Sequence, residues 1–200
     1  MVLPSIYYHA IILDIFRPFM QTTERHTRLG GFVSESATPD TVYKASVQQL
    51  LRLTLVYLLR FPSSRYTFLW HTALLYVANA MLSRETAAGE ANCRIWFQLC
   101  MEGYRSIAPS FPIVEGIVQG LLSMAMRARI VSPKEAEETI QQLRTGMLSG
   151  SAEIMKGGLM VDLDQSMRSP LTSQLGQLAN QFDELLLFDE LLSTPGKDKD

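Results

Sequence analysis

The sequence has little of what disulfide, metal or nucleic-acid chemistry requires. Only Cys93 and Cys100 occur among its 200 residues. On one helix they would stand about 10.5 Å apart along the axis, too far to bond. Two thiols that cannot bond to each other and no signal-peptide pattern make an intracellular, reducing compartment the expectation. The three histidines, His9, His26 and His71, have no metal-ligand neighbour three or four residues on, so no metal centre is expected. The 18 basic and 20 acidic residues leave a net charge of −2, without the basic excess of a nucleic-acid surface. The greasiest runs, residues 53–59 and 68–82, are shorter than the ~20 apolar residues a membrane span needs. No stretch alternates polar and apolar residues long enough to build a sheet.

What is present is 47% apolar sequence arranged with helical spacing. The first helix runs from about Ile6 to Phe16, with Ile6, Ala10 and Leu13 on one face. Pro18 then removes an amide donor and stops it. Arg17 suits the carbonyl end of that helix, and Phe19 can fold back on its apolar face. Thr38-Pro39 reads as an N-cap followed by proline in the first helical position, opening a helix to about Arg60. The segment from about Arg65 to Arg84 is apolar around most of its circumference and is expected to be the most buried. Further helices are expected over about Glu90–Ile107 and Ile113–Arg129. Ser132, Pro133 and Glu135 form a capping box for the next, in which serine and glutamate each satisfy a backbone donor.

Beyond Gly146 the sequence loosens into Gly, Ser and Met, a composition that reads as a flexible connector. A last helix is expected over about Leu171–Leu192. Leu171, Leu175, Leu178, Phe182 and Leu185 recur at alternating steps of four and three, one seam along its side. The fold class is therefore all-α: an irregular multi-helix bundle, a flexible connector and a C-terminal amphipathic helix. The expected boundaries are 1–148 for the helical body, 149–170 for the connector and 171–200 for an acidic tail.

Little in this pattern carries catalysis. The glycine pair in "KGGLM", residues 156–160, lacks the preceding strand and the spacing of a phosphate loop and reads as a turn. His9 and His71 read as hydrogen-bonded helix histidines and the cysteines as buried thiols. No strained nucleophile motif occurs, and the paired acids near the end are expected in solvent, away from the burial that tunes a catalytic carboxylate. The chain is not expected to be an enzyme or to bind a cofactor.

The tail is distinctive. "FDELLLFDELL", residues 182–192, states one acidic and apolar phrase twice, and residues 182–200 carry six acids against two lysines. Phe182, Leu185, Leu186, Phe188, Leu191 and Leu192 are its candidate partner-binding residues, anchors for a helix laid into a groove while the acids steer approach. Phe188 follows Phe182 by six residues and so points elsewhere. The rival expectation is that this helix packs against the body, extending the seam of Leu171, Leu175 and Leu178.

Five segments, in order, carry a resemblance: "YYHAIILDIFRPFM" (7–20), "TFLWHTALLYVANAML" (67–82), "WFQLCMEGYRSIAPSFPIVEGIVQGLLSMAMR" (96–127), "VDLDQSM" (161–167) and "FDELLLFDELL" (182–192). Together they resemble the regulatory region of fungal zinc-cluster transcription factors, most of all the group that includes nitrogen-assimilation regulators. That resemblance implies a nuclear location, a helical regulatory region and a C-terminal activating segment that meets a transcription coactivator or a related regulator. The family reads DNA through a cluster of six cysteines holding two zinc ions. This chain has two cysteines, so neither zinc nor direct DNA contact carries over to any residue. By that resemblance Met1 falls where the family is already inside its regulatory helices, so the chain is expected to be a C-terminal fragment, a truncated product or an incomplete gene model, with an exposed apolar patch that promotes association or aggregation. The expected function is that of a transcription-regulator fragment. The alternative is a helical interaction module that dimerises with a full-length relative and has no direct role at DNA.

Overall fold

A computed structural model of the chain describes residues 2–32, 34, 36–83, 92–145 and 159–193, with the side chains of residues 63, 65 and 191–193 excepted. Among the described residues there are eight α-helices and no strand, so the fold is all-α. They fall into two compact units, Met1–Ile107 and Ala108–Asp200. The division lies inside the region 1–148 that reads as one body in the sequence, because the helix after residue 112 finds its partners downstream.

In the first unit, α1 (Leu3–Phe16) packs on α2 (Pro39–Arg60), which meets α3 (His71–Leu82), and α3 packs on α4 (Cys93–Ile107). The start of α2 follows from its first residues. Thr38 Oγ1 accepts the amide of Thr41 at 3.2 Å, Thr41 Oγ1 accepts the amide of Thr38 at 2.9 Å, and Pro39 occupies the first turn, where no amide is needed. Helix α3 has every residue but Thr72 and Tyr76 buried, as its all-round apolar surface predicts. It is shorter than its apolar pattern. Phe68–Trp70 form a 3₁₀ turn, held by the Trp70 indole, which donates to the Ser64 carbonyl at 2.8 Å. That bond fixes the chain before His71 and leaves Pro62–Arg65 outside the helix. Helices α3 and α4 touch closely at Gly103, where a β-carbon would lie 2.6 Å from Leu74 Cδ2.

Arg17 differs from its expected role. The α-helix ends at Phe16, and Arg17 opens a 3₁₀ turn to Gln21 with only 4% of its surface exposed. Its Nε lies 3.9 Å from Asp14 Oδ1, and its guanidinium stands 5.6 Å from the centre of the Tyr76 ring. The Tyr76 hydroxyl donates a short hydrogen bond to the same Asp14 carboxylate. Burial, then Asp14, pushes the Tyr76 phenol up. This arginine ties α1 to α3 and does more than decorate a helix end.

In the second unit, α5 (Ile113–Arg127) is flanked by α6 (Pro133–Thr145) and α8 (Leu175–Ser193), with a single helical turn, α7 (Leu163–Ser166), between them in sequence. Arg129, at φ 59°, ends α5. Its amide bonds Met126 O at 3.0 Å and that of Ile130 bonds Ala125 O at 2.9 Å, the paired closure that glycine usually supplies. The capping box of α6 forms as its residues require: Glu135 Oε2 accepts the Ser132 amide at 2.9 Å, and Ser132 Oγ accepts the Glu135 amide at 3.3 Å.

Residues 149–158 of the expected connector lie outside the described residues, but from Leu159 the chain is tied down. Met160 bridges Gln174, the Val161 amide donates to Ser173 O at 2.9 Å, and Val161 is fully buried. This pairing also sets where the last helix begins. Pro170–Ser173 form a 3₁₀ turn and Gln174 is extended, so the helix starts at Leu175, and Leu171, read as the first residue of its seam, is 72% exposed.

His71 gives the fold a pH dependence. It is buried against Phe68, and its Nδ1 lies 3.0 Å from the Tyr104 hydroxyl. Burial lowers its pKa from 6.5 to about 4. Between those values the unfolded chain binds a proton that the folded chain refuses. Its contribution to stability is full above about pH 6.5 and is lost as pH falls toward 4, about 3 kcal/mol across the window. Denaturant titrations of the wild type and His71→Gln at pH 7.5 and 4.5 test this. The wild type is expected to lose more stability than the variant between the two.

Candidate functional site

The repeated phrase lies on α8, and the structure assigns its two halves different places. Leu175, Leu178, Ala179 and Phe182 are buried, Phe182 with 2% of its surface exposed. Leu185, Leu186 and Asp189 are half-buried. Phe188 is 62% exposed and Leu187 58%. Helical geometry explains the split, since six residues turn the helix about 240° past its starting direction. Phe182 is therefore a core residue and is withdrawn from the candidate anchors, because a side chain filling the interior cannot also fill a partner's groove. The side chains of Leu191 and Leu192 lie outside the described residues.

The inner half docks because α5 offers it space. A β-carbon at Gly120 would lie 3.1 Å from Val161 Cγ1 and 3.3 Å from Leu178 Cβ, so any larger residue would press on α8 and the Val161 segment by a few tenths of an ångström. At the far end of α5, Arg127 Nη1 donates a long hydrogen bond of 3.4 Å to Gln181 Oε1. Asp162, whose carboxylate caps α7 by accepting the Gln165 amide at 2.7 Å, has its pKa raised, chiefly by burial.

Where α8 passes the end of α5, an open hollow of about 180 Å³ forms among Met126, Arg127, Pro133, Leu185, Phe188 and Asp189. Small-molecule sites usually occupy about 300–1,000 Å³, whereas an apolar space of about 150 Å³ accepts a benzene ring. The hollow is the size of one side chain. Its lining offers one carboxylate and one guanidinium, with no histidine or cysteine. Of these six residues, sequence reasoning singled out Leu185 and Phe188 as anchors and Asp189 among the paired acids. It missed Met126, Arg127 and Pro133, which become neighbours of the tail only through the docking at Gly120.

The other polar candidates are occupied structurally. His9 Nδ1 faces Ser46 Oγ at 3.4 Å. Cys93 and Cys100 are buried and not joined in a disulfide, and burial pushes the Cys100 thiol up. Among the described residues, no group of three or more His, Cys, Asp or Glu is placed to hold a metal ion, and no helix is long and apolar enough to cross a membrane.

A second apolar surface lies in the first unit. Tyr8, Ile11 and Ile15 of α1 are all more than half exposed, and their spacing of three and four places them on one face.

A comparison with protein-family models, with curated proteins and with solved structures finds no match. The functional reading rests on the residues themselves.

The two phenylalanines of the repeat are expected to behave in opposite ways. Phe182→Ala should cost about 3–5 kcal/mol, as removal of a buried ring does. Phe188→Ala should change stability by less than about 0.5 kcal/mol. Equilibrium unfolding in denaturant measures both.

Proposed function

We propose that the chain is the regulatory and activating part of a transcription regulator of the fungal zinc-cluster family. It acts in the nucleus, and it meets a coactivator through its C-terminal helix. In this reading it is not an enzyme, holds no zinc and does not touch DNA itself. The observation that carries the reading is the outer half of α8. Leu187 and Phe188 stand in solvent beside Asp183, Glu184 and Glu190, while the inner half holds the helix on the second unit. An anchored helix that shows apolar and acidic residues together suits protein recognition, since carboxylates speed approach to a basic partner and the exposed ring supplies burial on contact. The ordered resemblance of five segments gives that recognition its transcriptional context.

The exposed face of Tyr8, Ile11 and Ile15 favours a second reading, a helical module that pairs with a full-length relative and has no direct role at DNA. Apolar side chains grouped on one helix face mark a surface that another protein covers.

One experiment separates the two. The full chain is fused to a heterologous DNA-binding domain upstream of a reporter. Activation is expected, reduced several-fold by the Leu187→Ala/Phe188→Ala double substitution. Silence of the full chain, and of a Gly120→Val variant in which α8 is pushed off, would remove the activating reading. Silence combined with inhibition of a full-length relative is the outcome of the second.

A further inference from the structure

The hollow at the end of α5 is built by three helices together, and none makes it alone. Met126 and Arg127 come from the last turn of α5 and Pro133 from the first turn of α6, while Leu185, Phe188 and Asp189 come from α8. The closure at Arg129 reverses the chain between α5 and α6 and brings Met126 and Pro133 to the same opening. The tail reaches them because Gly120 lets it lie close.

We propose that this composite hollow is the recognition site of the tail, and that it receives one apolar or aromatic side chain from a partner helix rich in lysine or arginine. The proposal deepens the preceding reading and rests on it for the claim that the tail binds another protein. The direction of insertion follows from the geometry. Phe188 already forms one wall of a hollow large enough for a single ring, so the site accepts a side chain as well as presenting one. The charge of the occupant follows from the surroundings. The sequence has no Lys or Arg between Arg168 and Lys197, whereas α8 carries Asp183, Glu184, Asp189 and Glu190. The whole second unit has thirteen acidic residues against eight basic ones, while the first has seven against ten. Arg127 and Lys134 on the α5–α6 side leave that balance acidic. A basic helix would meet attraction along α8, an acidic one repulsion, and the apolar anchor would fix its register.

The test uses the full chain and a synthetic helical peptide of Lys, Ala and Gln bearing one central Phe, labelled for fluorescence anisotropy. The comparison peptides carry Leu or Trp in place of Phe, or Glu in place of every Lys. At least one Lys-rich peptide is expected to bind with an affinity that falls as salt rises, and the Glu-rich peptide is not. Phe188→Ala and Met126→Ala are each expected to weaken binding about tenfold, the range of a central contact. Asp189→Asn should flatten the salt dependence. The proposal is overturned if no Lys-rich peptide binds, if the Glu-rich peptide binds equally, or if Phe188→Ala weakens binding while Met126→Ala does not, because the tail would then act alone. It is also overturned if Phe188→Ala abolishes a concentration-dependent dimer seen in sedimentation, because the occupant would then be a second copy. The reporter experiment reads the other claim separately. Activation without sensitivity to Met126→Ala removes the composite site and leaves the transcription reading. Binding with a silent reporter does the reverse.

Discussion

The arrangement of the second unit depends on a side chain that is absent. Gly120 presents bare backbone to Val161 and Leu178, with room for a β-carbon only at 3.1–3.3 Å. Closely packed interiors yield little to added atoms, so a side chain here would press α8 away from α5. Leu175, Leu178 and Phe182 face inward because they share one side, and Phe188 faces outward because it does not. The hollow beside Met126 and Pro133 follows from the same placement.

Much of the fold was legible because it is written in local chemistry. Thr38-Pro39 and Ser132-Pro133 announce helix starts, since an N-cap hydroxyl and a proline in the first turn act within a few residues of one another. The burial of α3 could be read from its composition alone. What could not be read depends on contacts between residues far apart in the chain. Leu171 fits the seam of the last helix by spacing, yet the bridge between Met160 and Gln174 claims the backbone there and delays the helix to Leu175. Arg17 looks like a helix-end cation, and its burial comes from Asp14 and from Tyr76, which lies on another helix. The boundary at Ile107 was hidden because it depends on which helices pack together, and only their partners distinguish the two units.

The candidate site was half legible for the same reason. The repeat drew attention to α8, and helical geometry already separated Phe182 from Phe188. Phe182 faces inward because it lies on the side that docks, with Leu175 and Leu178, and Phe188 does not. The body's share of the hollow, Met126, Arg127 and Pro133, has no signature in the sequence. The tail is neither free nor wholly absorbed: its inner half belongs to the core, and its outer half keeps an acidic and apolar surface. A helix anchored in this way would reach a partner with most of its ordering already done, so that less of the contact energy is lost to conformational entropy.

Amide hydrogen exchange along α8 in the full chain tests this division most directly, because protection follows the free energy of local opening. Exchange through residues 178–185 should be slow and should accelerate by orders of magnitude in Gly120→Val, while residues 187–190 exchange faster in both proteins. Rapid exchange along the whole helix in the wild type, or protection unchanged by Gly120→Val, would contradict the docking on which the rest depends.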